Sequence, residues 1–194
     1  MGKKGEATKQ NIRAAAFELF AESGYSKVTM QDICEKCGLS KGGLYRHYED
    51  KCQLFTDILY YLQKEEADRE EICMKQEASA VEILDGYLDH IRQYFGKAEP
   101  NINRALYEFC LDNKNGIGPE LLSGQFQRGR ARLLSLVEYG ISKDEFHLNN
   151  PQGAVAAILF LVEGLLMANE VMSIPTVTLN AIFSQVKEMM GVKS

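Results

Sequence analysis

The sequence predicts an all-α protein: an N-terminal three-helix domain carrying a helix-turn-helix, followed by a C-terminal helical body. Three observations predict it. No segment alternates apolar and polar residues with period two over the length of a strand. Apolar residues recur instead at helical spacing, punctuated by caps and breakers. And the stretch TMQDICEKCGLSKGGLYRHY, Thr29 to Tyr48, sets a short helix, a Gly-containing turn and a second short helix in a row.

The first helix is expected from about Lys9 to Ser23. Ile12, Ala16, Leu19 and Phe20 form its stripe and Gly24 stops it. Thr29 is an N-cap, with Asp32 as a weak capping box, and Met30, Ile33, Cys34 and Cys37 mark one face of helix two. Gly38 and Leu39 make the turn. Ser40 caps helix three, which is small, basic and aromatic: Lys41, Gly42, Gly43, Tyr45, Arg46, His47, Tyr48. The second helix of such a motif enters the DNA major groove.

Helix four, 50–73, opens at Asp50 with Gln53 at N3, and its stripe is Leu54, Phe55, Ile58, Leu59 and Leu62. It links a DNA-binding domain, 6–52, to the body, 53–194. Its charge run Lys64 to Glu71 reads as a solvated face, with Glu65 and Arg69 as i,i+4 partners. Ser79 and Glu82 form a capping box for helix five, whose stripe is Leu84, Tyr87, Leu88, Ile91, Tyr94 and Phe95, ended by Gly96. Helix six covers about Asn101 to Asn113, with Ile102, Leu106, Phe109 and Cys110 inward; Asn115 to Pro119 is a breaker; helix seven spans about Glu120 to Tyr139. Asn150 caps helix eight with Pro151 at its first position. This helix is apolar nearly all round and must be covered on more than one side. Ile174-Pro175-Thr176 precedes helix nine, with Leu179, Ile182, Phe183, Val186, Met189 and Met190. One domain cannot easily bury both helices. The segments 151–170 and 176–191 are therefore expected to form a two-fold homodimer interface, the alternative being that helix eight is central to a monomer core.

Composition agrees with a soluble globular protein: 45% hydrophobic and 25% charged residues. The start, Met1-Gly2-Lys3-Lys4-Gly5-Glu6, carries neither a secretory signal nor a myristoylation site. The apolar run Ala154 to Ala168 is too short for a bilayer and holds Glu163. Together with five irregularly spaced cysteines, these features suggest reduced thiols and a cytoplasmic location. The net charge of −5 is unevenly placed: nine Lys/Arg against seven Asp/Glu in residues 1–51, and thirteen against twenty thereafter. A locally basic module on an acidic body suits a DNA-binding footprint. Cys34-x-x-Cys37 lacks two further ligands at zinc spacing and reads as small buried residues, with redox sensing the alternative. No nucleophile elbow, P-loop or HExxH motif supports an enzyme.

The ordered pattern Ile12-x-x-Ala15-Ala16-x-x-Leu19-Phe20-x-x-x-Gly24-Tyr25, then Thr29-Met30-x-x-Ile33-Cys34, then Gly38-Leu39-Ser40-Lys41-Gly42-Gly43-Leu44-Tyr45-x-His47-Tyr48-x-x-Lys51-x-x-Leu54 resembles the tetracycline-repressor (TetR) family over roughly residues 9–60. Cys34 and Cys37 stand where the family usually has Ala, and Gly43 where it often has a side chain. The resemblance implies a homodimeric repressor on a palindromic operator, released by a small inducer and needing no cofactor or metal. A helical adaptor without DNA binding is the rival reading, which Lys41, Tyr45, Tyr48 and Lys51 oppose. The DNA-binding residues so expected are Thr29, Ser40, Lys41, Gly42, Gly43, Tyr45, Arg46, His47, Tyr48 and Lys51. Thr29 would hold a phosphate at a helix N-terminus, and Lys51 resembles the family's phosphate-clamping lysine. Tyr45 and Tyr48 could instead pack in the core, and Arg46 and His47 could be plain solvent-exposed residues. The resemblance also places an inducer pocket in the body, with Tyr87, Ile91, Tyr94, Phe95, Tyr107, Phe109 and Phe126 as candidate lining for an apolar, aromatic or cationic ligand. Glu163 would be a counter-ion there or a partner at the dimer seam.

Overall fold

The computed structural model describes residues 3–95 and 101–192. The expected stop at Gly96 and the first two residues of the chain lie outside them. Nine helices occur among the described residues, and no strand. They are α1 (Lys3–Ser23), α2 (Met30–Cys37), α3 (Lys41–Tyr45), α4 (Lys51–Lys75), α5 (Ala80–Gln93), α6 (Asn103–Asp112), α7 (Ile117–Ser142), α8 (Pro151–Asn169) and α9 (Thr176–Met189). They fall into two compact units, 1–65 with 100–121, and 66–99 with 122–194. The expected division at 52/53 separates roles; packing separates the chain within α4, and α6 returns to the first unit.

The first unit is built on the α1 stripe. Ile12, Ala16 and Phe20 are buried against Ile33 and Cys34 of α2, Leu44 of α3, and Leu54, Phe55 and Ile58 of α4. Phe20, Tyr25, Phe55 and Phe109 form an aromatic nest, with successive ring centroids 4.9–5.7 Å apart. Mixed edge and stacked geometries of this kind add to simple area burial. Helix α1 begins at Lys3 rather than Lys9. Glu6 stands in its first turn, where a carboxylate complements the helix N-terminus, and pairs with Arg13 at 2.8 Å. Gly24 ends the helix at φ +79°, in the left-handed region that favours glycine, with the Glu108 carboxylate close over it.

The second unit packs α5, the distal turns of α4, most of α7, α8 and α9 around Leu84, Leu88, Leu136, Val137, Phe146, Val155, Ile158, Leu179 and Phe183. Three expectations are corrected here. Ser79 and Glu82 form no capping box: the Ser79 hydroxyl donates to Glu145 at 2.6 Å, and the same carboxylate oxygen accepts the Val81 N–H at 3.1 Å. The α5 N-terminus is thus capped from the α7–α8 loop. The supposed breaker at 115–119 instead opens α7 at Ile117, because proline is tolerated in a first turn where its missing N–H has no partner to lose. Helix α8 is 19 residues, longer than its apolar run, so its length and composition alone would allow a bilayer crossing. Its residues Val155, Ile158, Leu159, Val162 and Leu165 are instead buried in this unit's core.

Candidate nucleic-acid interface

Local chemistry shapes the helix-turn-helix. Thr29 Oγ1 accepts the Asp32 N–H at 3.2 Å while Asp32 Oδ2 accepts the Thr29 N–H at 2.8 Å, a complete capping box. The Thr29 hydroxyl also donates to Asp32 Oδ2 at 2.8 Å, and this bond first, then that from the Thr29 amide, holds the Asp32 carboxyl below the usual carboxylate range. Gly38 closes α2 in the left-handed region at φ 65°, where a side chain would be strained. Ser40 Oγ accepts the Gly43 N–H at 3.2 Å and starts α3.

Burial sorts the residues of α3. Leu44 faces the core, whereas Ser40, Lys41, Gly42, Arg46 and Tyr45 (49% exposed) face solvent. A Cβ at Gly42 would meet nothing within 4 Å. This bare, basic ridge is what a helix needs to bring its backbone close to a groove floor. Cys34 is buried and Cys37 partly so; both thiols are free, and burial pushes the Cys37 thiol up. That works against thiolate reactivity and fits the packing role.

Two expected DNA contacts are committed elsewhere. Tyr48 is 2% exposed, and its hydroxyl donates to Asp57 Oδ2 at 2.5 Å, which Arg13 also approaches at 3.2 Å. Burial and then the Asp57 bond push its phenol up. Tyr48 is a core residue whose polar end ties α3 to α4. Lys51 is half-buried, and its Nζ donates to the carbonyls of Tyr25 and Val28, both at 2.8 Å, 4.2 Å above the Tyr25 ring. Two of its three ammonium protons are thereby used. Thr29 lies exposed at the α2 N-terminus, its own N–H already taken by Asp32. His47 is half-buried, with Nδ1 enclosed and without a protein partner.

The expected pocket residues scatter. Phe109 is fully buried in the aromatic nest of the first unit, and Tyr107 lies on the same helix. Ile91 is in the second unit's core. Phe95 packs against that core, and Phe126 does so with its ring tilted 4.8 Å from that of Phe160. A cavity of about 330 Å³ does exist within the second unit, and of the expected set only Tyr87 lines it, beside Glu66, Arg69, Glu70, Cys73, Ala78, Glu82, Ile83, Gly86, His90 and Arg132. Tyr94 reaches this wall indirectly, through a 3.0 Å bond between its hydroxyl and His90. Glu163 is half-buried on α8; burial first, with Glu70, Glu66 and Glu163 adding to it against Arg132, pushes the Tyr87 phenol up. The sequence reading missed Glu66, Glu70, His90 and Arg132. The i,i+4 spacing of Glu66 and Glu70 was the available signal, since it places both on one face of α4. That face is not the solvated one expected: Arg132 reaches Glu66 at 2.5 Å and Glu70 at 3.0 Å.

A capped helix, a glycine turn and an exposed basic second helix make up a helix-turn-helix, the motif whose second helix enters the major groove in proteins that read DNA. Residues 12–58 match the family described as bacterial regulatory proteins, tetR family. An HTH-type transcriptional regulator of Staphylococcus aureus (strain USA300) is 31% identical over 119 residues, 59% of this chain and 59% of that protein. The match thus spans about three fifths of the length of such relatives. The fold of the whole chain is shared with E. coli NemR in its reduced form (TM-score 0.80, 15% identity, 96% of this chain and 100% of that one). A transcriptional regulator from Saccharomonospora viridis in complex with choline shares it as well (TM-score 0.72, 16% identity, 97% and 100%). Over residues 12–58 the chain is thus similar to the tetR family of bacterial regulatory proteins, and beyond them it shares the fold of the solved regulators.

Proposed function

We propose that this chain is a homodimeric, cytoplasmic repressor that reads a palindromic operator with α3 and is released by a small molecule bound in its second unit. The observation that carries the reading is the ridge Ser40–Arg46, in which Leu44 alone of the α3 residues is buried and Lys41, Gly42, Tyr45 and Arg46 face outward. In this reading Lys41 and Arg46 supply phosphate and base contacts, Tyr45 stacks against sugar or base, and Gly42 and Gly43 permit close approach. The amides around Ser40 and Thr29 steady the backbone of the duplex. His47 contributes at the rim, Tyr48 orients α3 from behind, and Lys51 holds the α1–α2 connection while offering its remaining proton to a phosphate. Two copies of α3 would enter successive major grooves about 34 Å apart.

The dimer is supported by the apolar face of α8, and the effector role by the cavity beside α4, α5 and α7. A protein of the same fold that holds choline is a precedent for small-molecule binding in this architecture. Helix α4 runs from the first unit into the second, so a ligand that shifts its distal turns acts on a helix shared with the DNA-binding unit. To move the binding equilibrium from 1:99 to 99:1, the ligand must prefer the released state by about 5.5 kcal/mol.

The test is a gel shift on the DNA upstream of the protein's own gene at several salt concentrations. Lys41→Ala should weaken binding to all sequences alike and flatten the slope of log K against log salt by about one unit. A changed base preference with an unchanged slope would overturn the phosphate assignment. Lys51→Ala is a poorer probe, because it also removes two internal hydrogen bonds.

A further inference from the structure

The cavity of the second unit is charged, and its charges are unequal. Its wall carries three carboxylates, Glu66, Glu70 and Glu82, against two guanidinium groups, Arg69 and Arg132, an excess of one acid among these five groups. The two positive groups are not equally available. Arg69 is exposed, whereas Arg132 is held between Glu66 (2.5 Å) and Glu70 (3.0 Å) and lies 5.6 Å from the Tyr87 ring centroid. An anion entering here meets a guanidinium already matched to two acids. Glu66 is the better satisfied acid, since it takes Arg132 on one oxygen and His90 on the other, at 2.7 Å. Glu70 shares Arg132 through a single oxygen, and its side chain is 15% exposed. Burial pushes its carboxyl up despite the opposing pull of Arg132, the mark of a carboxylate short of positive charge. The rest of the wall is Tyr87, Cys73, Ala78, Ile83 and Gly86, soft and mostly apolar.

We propose that this cavity selects a compact organic monocation, with Glu70 as its counter-ion and the Tyr87 ring as its apolar seat. The inference rests on reading the cavity as the effector site and names the class of effector. A carboxylate beside an aromatic face is the pairing that recognises a substituted ammonium group. At about 330 Å³ the space suits a ligand of small-molecule size. The bound cation would also compete with Arg132 of α7 for Glu70 of α4, loosening the tie between those two helices within the unit.

The experiment uses the full-length protein and three probes of one shape and different charge: choline, 3,3-dimethylbutan-1-ol and 3,3-dimethylbutanoate, each titrated by calorimetry. Choline should bind at least about tenfold tighter than the neutral alcohol, and the carboxylate weakest of all. Glu70→Gln should bring choline and the alcohol to within a few-fold of each other, while Glu82→Gln, at the exposed rim, should leave most of the preference in place. The comparison among probes on the unaltered protein stands even if Glu70→Gln fails to fold. Equal or tighter binding of the neutral or anionic probe, or no binding of any probe at millimolar concentration, overturns the proposal. Selective binding of choline without effect on operator binding supports the charge preference and defeats the effector role, so the two failures are distinguishable.

Discussion

Phe109 and Tyr87 are both aromatic residues on apolar helical stripes, and the fold gives them different tasks. Phe109 sits in the nest of Phe20, Tyr25 and Phe55, whereas Tyr87 lines a charged cavity. Phe109→Ala should cost about 3–5 kcal/mol in the unfolding free energy measured with urea, since it empties a fully enclosed site. Ligand affinity of the second unit should stay unchanged; a loss of ligand affinity at preserved stability would return Phe109 to the pocket. Tyr48 makes a related point. Its spacing with Leu44 and Tyr45 left two orientations open, and the 2.5 Å bond to Asp57 settles which one the fold adopts. A carboxylate nine positions along is no sequence-local signal, so the motif alone could not tell a core hydroxyl from a DNA-facing one.

Among the elements, the caps divide cleanly by the range of their partners. Thr29, Ser40, Asp50 and Asn150 each accept an N–H three residues on, and all four were legible because donor and acceptor lie within one turn. Ser79 has the right residue type and yet no such bond; its α5 terminus is held by Glu145, 66 residues away. The Ser79 hydroxyl, and then the Val81 and Ala80 amides, hold the Glu145 carboxyl below the usual range. A depressed carboxylate contributes stability above its unfolded pKa, and that contribution is lost as pH falls through the folded value. Glu145→Gln should therefore be less stable than the parent by about 1 kcal/mol at pH 7, the usual worth of a side-chain cap. The gap should close on acidification below about pH 4, near the ordinary glutamate value. Urea denaturation at both pH values checks this; an equal deficit at both would show that the carboxylate charge plays no part.

At the scale of the whole molecule, α8 presents Ala157, Phe160, Gly164 and Met167 to solvent on one face, with Phe160 67% and Met167 53% exposed. An apolar stripe of this kind, with a small residue at its middle, is the surface a second copy would cover. Met167→Glu should give a monomer in sedimentation velocity and greatly weaken operator binding, while the far-UV spectrum stays helical. Retention of the dimer would move the interface away from α8. The same helix carries the opposite face of the argument, since its buried residues Val155, Ile158 and Val162 belong to the core of its own unit. The core of its own unit covers one of these faces, and the proposed second copy would cover the other.

The sequence by itself determined the helical class, most of the local caps, the stripe of α1 and the exposed basic character of α3. Each depends on residues within a turn or two of one another, where periodicity and side-chain reach are enough. Tertiary structure alone decided which charged residues turn inward. Glu66 and Glu70 looked like part of a solvated run until Arg132, more than sixty residues on, turned that face into the wall of a cavity. A buried charge is tolerated only where a distant partner offsets its desolvation, and chain neighbours carry no record of that partner.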